Sequence, residues 1–536
     1  MQPSETDRVL IVGGGPVGVG LALELAQSGV RSIVFERRPR MHNVPKGQNL
    51  TQRTAEHFLH WGIERALRAA VTVPPEVGGG GMTAYGSLLR GLHYDWLKRE
   101  SVARYYASAN ARLPQYAMEN VLRAEAALRP EIELRLGWRV TGVEQGPEGV
   151  TVEAEDGATG TAHRIAGAYA VGCDGAHSLL RDAAGITQTV SDHHKKMALL
   201  VFRSEEMERV MDAYPGKAFM NVLTPELDGY WQFFGRVDMG GGETPPSWFF
   251  HAPVDPEKDY APEDFAPLVA RAIGRPIALD VIYSGFWNLR FAVADSYRAG
   301  RLFIAGDACH SHPPYGGYGV NNGLEDARNL GWKLAARING WGSEALLDSY
   351  SAERQPVFAS VARDFIEASI DNDRAFLRSR SPEQDADEFA RSWQGRAAFA
   401  ASEVDRYEPH YSGSPIVLGG AGETSAIGGH SQVARAGHHL VPVTVAMGGL
   451  VQERLSGGYA LLTPPGADQA ADFTRAAEAL SVPCAVLEAE VGEMERLAAQ
   501  AVLVRPDGFV AWAQALGAEA PPAAAILRHC VSVGEE

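Results

Sequence analysis

One glycine-rich run has the residue types and spacing of a phosphate-cradling turn, and two further runs that carry Gly and Asp are candidate site segments. Gly13-Gly14-Gly15-Pro16-Val17-Gly18 fits the pattern GxGxxG, and Glu36 lies eighteen residues beyond its last glycine. Gly13 would turn the chain, Gly15 would let backbone N–H groups approach a pyrophosphate, and Gly18 would let a helix pack closely on a strand. Glu36 would accept hydrogen bonds from a ribose, and Arg37 beside it, with Arg38 and Arg40, could serve a phosphate or simply face water. The second group is Cys173-Asp174-Gly175-Ala176-His177-Ser178 with Arg181. The third is Ala305-Gly306-Asp307-Ala308-Cys309-His310-Ser311-His312-Pro313-Pro314, continued by Gly316-Gly317-Tyr318-Gly319-Val320-Asn321-Asn322-Gly323.

The first motif has the context that makes it informative. Residues 9–12 form an apolar, β-branched run, residues 17–26 are helical in pattern, and residues 32–35 form a second strand ending at Glu36. This is a βαβ unit and implies a parallel sheet. A helix is expected over 115–127, alternating strands near 134–143 and 149–154, and a return to the first sheet at 168–172. Residues 301–305 read as another buried strand, and 323–338 as a long helix. Segments 71–110 and 191–290 are richer in strands and aromatic residues, among them Trp231, Phe233, Trp248, Phe249 and Trp287. We read them as an antiparallel substrate-binding domain inserted into a discontinuous dinucleotide-binding domain at 1–70, 111–190 and 291–400. The loop-like stretch 412–423 precedes a small α/β domain over 412–536.

Composition narrows the partners. Of 536 residues, 49 are basic and 66 acidic, and the net charge of −17 argues against nucleic acid or an anionic membrane surface as a partner. The four cysteines lack CxxC spacing, and no run of about 18 apolar residues marks a membrane span or signal segment. The expectation is a cytoplasmic protein. His310-Ser311-His312 is too tight for an ordinary zinc pair, so no metal site is expected, and His42, His57 and His60 are read as ordinary structural residues.

The three motifs, in this order, resemble those of the class A flavoprotein aromatic hydroxylases. The resemblance covers about the first 400 residues, and it implies FAD as the cofactor with NADH or NADPH as a co-substrate. It implies that Asp307 contacts the ribityl chain, and that the loop from Pro313 to Gly319 wraps the isoalloxazine ring. Asp174 and Gly175 belong to the family's DG motif, Gln115 matches a flavin contact, and Arg53 stands where a basic residue often lies near the flavin or pyrophosphate. Gly306, Gly317, Val320 and Asn321 complete the expected cofactor contacts. A helix starting near Gly319 would stabilise the negative charge of reduced flavin. Cys309 stands where alanine is more usual, and Tyr318 replaces a frequent glutamine.

The implied reaction is insertion of one atom of O2 into a small aromatic, phenolic molecule through a flavin C4a-hydroperoxide. Pro313, Tyr230 and Tyr283 are the candidate catalytic contacts, with Trp231 and Trp287 as further candidates, although simple core packing is the commoner fate of buried aromatics. The run from Leu503 to Trp512 resembles the end of the thioredoxin-like C-terminal domain of phenol hydroxylases. Without a CxxC it would be structural or would support a homodimer. Two other readings stay open: an FAD-dependent reductase or dehydrogenase of similar fold, and a catalytically silent flavin-binding protein. No WxWxIP segment suggests a flavin halogenase.

Overall fold

The computed structural model describes residues 7–41, 43–71, 79–96, 98–237, 246–313 and 315–532. His42 and Pro314 fall outside them. The strand Arg8–Val12 lies near the centre of a six-stranded sheet in the order Arg298–Ala299, Leu302–Ile304, Tyr169–Gly172, Arg8–Val12, Arg31–Glu36, Ile132–Leu136. All neighbours are parallel except the first two. Parallel strands need cover on both faces, which explains why Val9, Leu10 and Ile11 are buried. The helix Pro16–Ala26 packs against the long helix Tyr318–Ile338, and Val152, Ala154 and Ile165 of a three-stranded antiparallel sheet join the same core.

That long helix begins five residues earlier than its apolar pattern suggests. Gly317 caps it in the left-handed region at φ 71°, so the glycine-rich run ends in a helix N-terminus and not in a longer loop.

Residues 188–294 and 80–96, with the short strand His310–Ser311 at one edge, build an eight-stranded sheet. The expectation of a purely antiparallel sheet is corrected here: Gly80–Tyr85 pairs in parallel with Lys217–Leu223. The reason is connectivity: residues 80–85 and 217–223 are separated by a return through the first domain and no hairpin joins them, whereas Lys217–Leu223, Trp231–Val237 and Ser247–Val254 follow one another as antiparallel hairpins. Side-chain alternation divides this sheet into two faces. Met220, Phe234, Trp248 and Phe250 share a core with the helix Phe265–Ile273. Phe219, Trp231, Phe233, Phe249, His251, Tyr283 and Trp287 point the other way, into a cavity.

The helices Glu344–Ser360, Ala368–Ser379 and Ala386–Arg406 follow, and the latter two roof that cavity through Asp373, Arg396 and Glu403. The C-terminal sheet has the order Cys484–Glu488, Tyr459–Thr463, Ala499–Val504, Val510–Ala515. All four cysteines are free thiols. Among the described residues no helix is long and apolar enough to cross a membrane.

Candidate active site

The three glycine-bearing turns meet at the C-terminal edge of the parallel sheet. Gly13 N–H donates to the Phe35 carbonyl at 2.8 Å, Cys173 N–H to the Val12 carbonyl at 2.7 Å, and Ala305 N–H to the Gly172 carbonyl at 2.9 Å. Gly13 has φ 111°, and a Cβ there would overlap the Cys173 carbonyl; a Cβ on Gly18 would overlap the Gly13 carbonyl. Only glycine allows this crossing of strands and helix. Glu36 is preset, its carboxylate accepting from Gly14 N–H at 3.0 Å and Arg38 N–H at 2.9 Å.

Further hydrogen bonds tie the second and third motifs to this edge. Asp174 accepts from Leu179 N–H at 2.8 Å, the first N–H of the helix Leu179–Ala183, which Ser178 caps. Arg181 donates to the carbonyls of Ala176 and Ala308, at 3.1 and 3.2 Å. Asp326 accepts from Gly306 N–H at 3.0 Å, contacts His310 Nε2 at 2.8 Å, and is paired with Arg354 at 2.7 Å. The turn that presents Asp307 is therefore held by a buried carboxylate twenty residues away.

A cavity of about 1420 Å³ runs from this edge to the aromatic face of the eight-stranded sheet. Single ligand sites span roughly 300–1,000 Å³, so the space suits a dinucleotide together with a second molecule. Gly13, Gly15, Pro16, Val17, Glu36, Arg37, Gln115, Asp174, Gly175, Asp307, Gly317, Gly319 and Val320 all line it. Nothing stands within 4 Å of where a Gly15 side chain would be, which leaves the first helix N-terminus open to a phosphate. Surrounding protein raises the pKa of Asp307 by desolvation, and that of Asp174 likewise; one oxygen of Asp174 has no partner. Hydroxyl-bearing ligand groups would satisfy both. These features fit FAD.

The remaining candidates stand back from the cavity and shape it. Asn321 accepts from Thr51 N–H at 2.9 Å and Thr54 Oγ1 at 2.6 Å, and donates to the Asn49 carbonyl at 2.9 Å, pinning the long helix to the first domain. Gly306 has φ 62°, and a Cβ there would crowd Val17. Arg53, expected near the flavin, is instead ion-paired with Glu325 at 2.9 Å and donates to the Asp507 carbonyl at 2.5 Å. Its charge serves the junction with the C-terminal domain. Pro313 is buried, and its carbonyl is taken up by His312 Nδ1.

Of the two tyrosines, Tyr283 lines the cavity and Tyr230 does not. Tyr230 is out of alternation with Trp231, so it packs outward, contacting His193 Nδ1 through its hydroxyl. Two cavity residues escaped the sequence reading as individuals: Tyr315, which donates to Asp373 at 3.1 Å, and His251, which lies in the aromatic wall. Tyr318, expected in the flavin loop, donates to Glu403 at 2.7 Å. For His251 a signal existed, since it alternates with Phe249 along one strand.

Two family models match the chain: "FAD binding domain" over residues 6–364 and "Aromatic-ring hydroxylase, C-terminal" over residues 435–532. A rifampicin monooxygenase from Streptomyces venezuelae is 32% identical over 94% of this chain and 95% of its own. A 4-methyl-5-nitrocatechol 5-monooxygenase from Burkholderia is 31% identical, covering 96% and 95%. The crystal structure of the flavin-dependent monooxygenase PieE, with FAD and substrate, shares the fold with a TM-score of 0.85 at 24% identity, over 98% of this chain and 99% of that one. A dinucleotide edge, a flavin-sized cavity and an aromatic wall on one chain thus agree with its relatives, and the protein belongs to the FAD-dependent aromatic-ring hydroxylases, enzymes of the monooxygenase type.

Proposed function

We propose that this enzyme hydroxylates a phenolic compound of more than one ring, using O2 and electrons from NADH or NADPH that binds transiently at the flavin. One observation carries the reading: the turn at Gly316–Gly319 and the wall of Trp231, Phe233, Phe249 and Trp287 border one continuous cavity. A ring bound against that wall would lie beside the flavin. Both relatives named above are monooxygenases of cyclic compounds, and the cavity exceeds what one small ring needs.

FAD, when bound, supplies hydride acceptance and oxygen activation; the protein supplies position, dryness and proton control. Gly13 to Gly18, Glu36 and Asp307 would hold the cofactor, with Gly317, Gly319 and Val320 beside its ring system. The aromatic wall excludes water from the reacting carbon and offers flat surfaces to the substrate. Tyr283 would touch the substrate from the sheet side. On the roof, burial raises the pKa of Glu403 although Tyr318 donates to it, and Tyr318 is raised by burial and then by that carboxyl. Such a pair can hold or release a proton next to the flavin loop. The four unpaired thiols support a reducing compartment, the cytoplasm.

The test is consumption of O2 with NADH or NADPH by the FAD-loaded enzyme across a panel of naphthols and hydroxyquinones, with products weighed by mass spectrometry. A gain of one oxygen atom per turnover is expected. Turnover that persists without O2 and adds no oxygen would move the enzyme to the reductases.

A further inference from the structure

Among the apolar rings of the aromatic wall stands an imidazole with a nitrogen that no described residue uses. His251 is 5% exposed and lies in the strand Ser247–Val254, opposite Leu199 and Phe233 on the adjacent strands. Its ring stands 5.0 Å from that of Phe249, 5.3 Å from Trp287 and 6.2 Å from Phe233. Its Nδ1 is buried and has no hydrogen-bond partner among the described residues, and the ring borders the cavity. Every one of these neighbours is apolar or presents an aromatic face, so a phenylalanine would fill the same space without stranding a polar atom. The imidazole is explained if a ligand completes it.

We propose that His251 anchors an oxygen substituent of the aromatic substrate, which assigns the enzyme hydroxyl- or carbonyl-bearing ring compounds and not bare hydrocarbons. The inference rests on the aromatic-hydroxylase reading and deepens it. A neutral imidazole offers one donor and one acceptor, and a phenolic hydroxyl is the group that can meet either. Burial holds the imidazole pKa down at about 3, so at neutral pH the ring is uncharged. It therefore cannot hold a carboxylate by charge. It is also too weak a base to take a phenol's proton, whose pKa lies about seven units higher. His251 recognises the substrate and leaves proton removal to other groups.

The experiment uses the FAD-loaded enzyme, with 1-naphthol and naphthalene titrated separately and the flavin absorbance change read as binding. These two molecules share shape and differ by one hydroxyl. In the parent enzyme 1-naphthol is expected to bind about tenfold more tightly than naphthalene, as one hydrogen bond would give. In His251→Phe the two should bind within about twofold of each other, with naphthalene itself little changed, and His251→Gln should restore part of the difference. Equal weakening of both molecules would make His251 a mere wall and overturn the proposal. So would a hydroxyl preference that survives in His251→Phe, or naphthalene matching 1-naphthol in the parent enzyme. If neither molecule perturbs the parent flavin, the aromatic-hydroxylase reading of the cavity itself fails. Should the phenylalanine variant not retain FAD, His251→Leu measures the same difference.

Discussion

Arg505 and Glu353 face each other in full burial, the guanidinium meeting both carboxylate oxygens at 2.6 and 2.9 Å. The pair joins the end of a C-terminal strand to the helix Glu344–Ser360. Lys333 adds a second cation to Glu353 at 2.6 Å, and Asp507 a second anion to Arg505 at 2.6 Å, so the four charges balance. Burial alone would raise the Glu353 pKa, but Arg505 and Lys333 outweigh it and leave the group well below the ordinary carboxylate range. Asp507 also accepts from Trp332 Nε1 at 3.0 Å, on the helix whose N-terminus borders the flavin loop. The C-terminal domain is thereby tied to the cofactor domain through charge.

Breaking such a pair on one side strands the other charge. Arg505→Met is expected to destabilise the protein by about 3–5 kcal/mol, measured by chemical denaturation. Removing both partners in Arg505→Met/Glu353→Met should cost less than the sum of the single changes, because Lys333 and Asp507 then pair with each other in charge count. Additive losses would show that the two side chains act independently.

The tyrosines give a test of the cavity wall. Tyr230→Phe should leave kcat/KM with a naphthol substrate within about twofold, while the lost contact with His193 costs about 1 kcal/mol of stability. Tyr283→Phe should lower kcat/KM with the same naphthol about fivefold, as loss of one substrate hydrogen bond would. The reverse result would exchange their roles.

What could be read from residue order follows from range. The glycine turns are local, so strand, turn, helix and acid declare themselves within forty residues. The inward face of the sheet was less legible: aromatic residues stand on both faces, as in the run Trp248-Phe249-Phe250, so their types alone did not separate Trp231, which lines the cavity, from Tyr230, which does not. Two kinds of feature were not legible. Arg53 is equally basic beside a phosphate or a carboxylate, and its partner at Asp507 is 454 residues away. The roof residues Glu403 and Asp373 lie on helices whose patterns reveal an apolar face but not what that face covers. Tyr318 meets Glu403 only because the chain doubles back across 85 residues.

Acid should unfold the protein through histidines before carboxylates. Burial lowers the pKa of His57 to about 4, against the pull of Glu325 and with help from Arg53 and Arg328. Burial lowers His312 to about 4 and His251 to about 3. Each is neutral when folded but takes up a proton below about 6.5 when unfolded. Their contribution is whole above about pH 6.5 and declines as pH falls toward 4, at up to ~4 kcal/mol per pH unit for the three together. The denaturation midpoint should fall steeply between pH 6.5 and 4, and His251→Phe should make that fall shallower by about a third. A midpoint flat across that interval would show that the three rings are reached by water in the folded state.

Arg112 gives the last test, because no anion among the described residues pairs with its buried cation. Its guanidinium carbon stands 3.2 Å from the centre of the Phe219 ring, and neither terminal nitrogen has a hydrogen-bond partner. Burial, and then the nearby Arg99, push its pKa well below the usual value. The ring contact contributes about 2 kcal/mol, whereas an unpaired charge out of water costs several. Arg112→Met, similar in length and apolar, should therefore raise the unfolding midpoint of the FAD-free protein, by about 1–4 kcal/mol in stability. The same variant measured with FAD bound then separates two causes for keeping an arginine there. If the gain disappears once FAD is present, the guanidinium meets the cofactor or groups ordered by it; if the gain is the same with and without FAD, the charge serves something other than the cofactor.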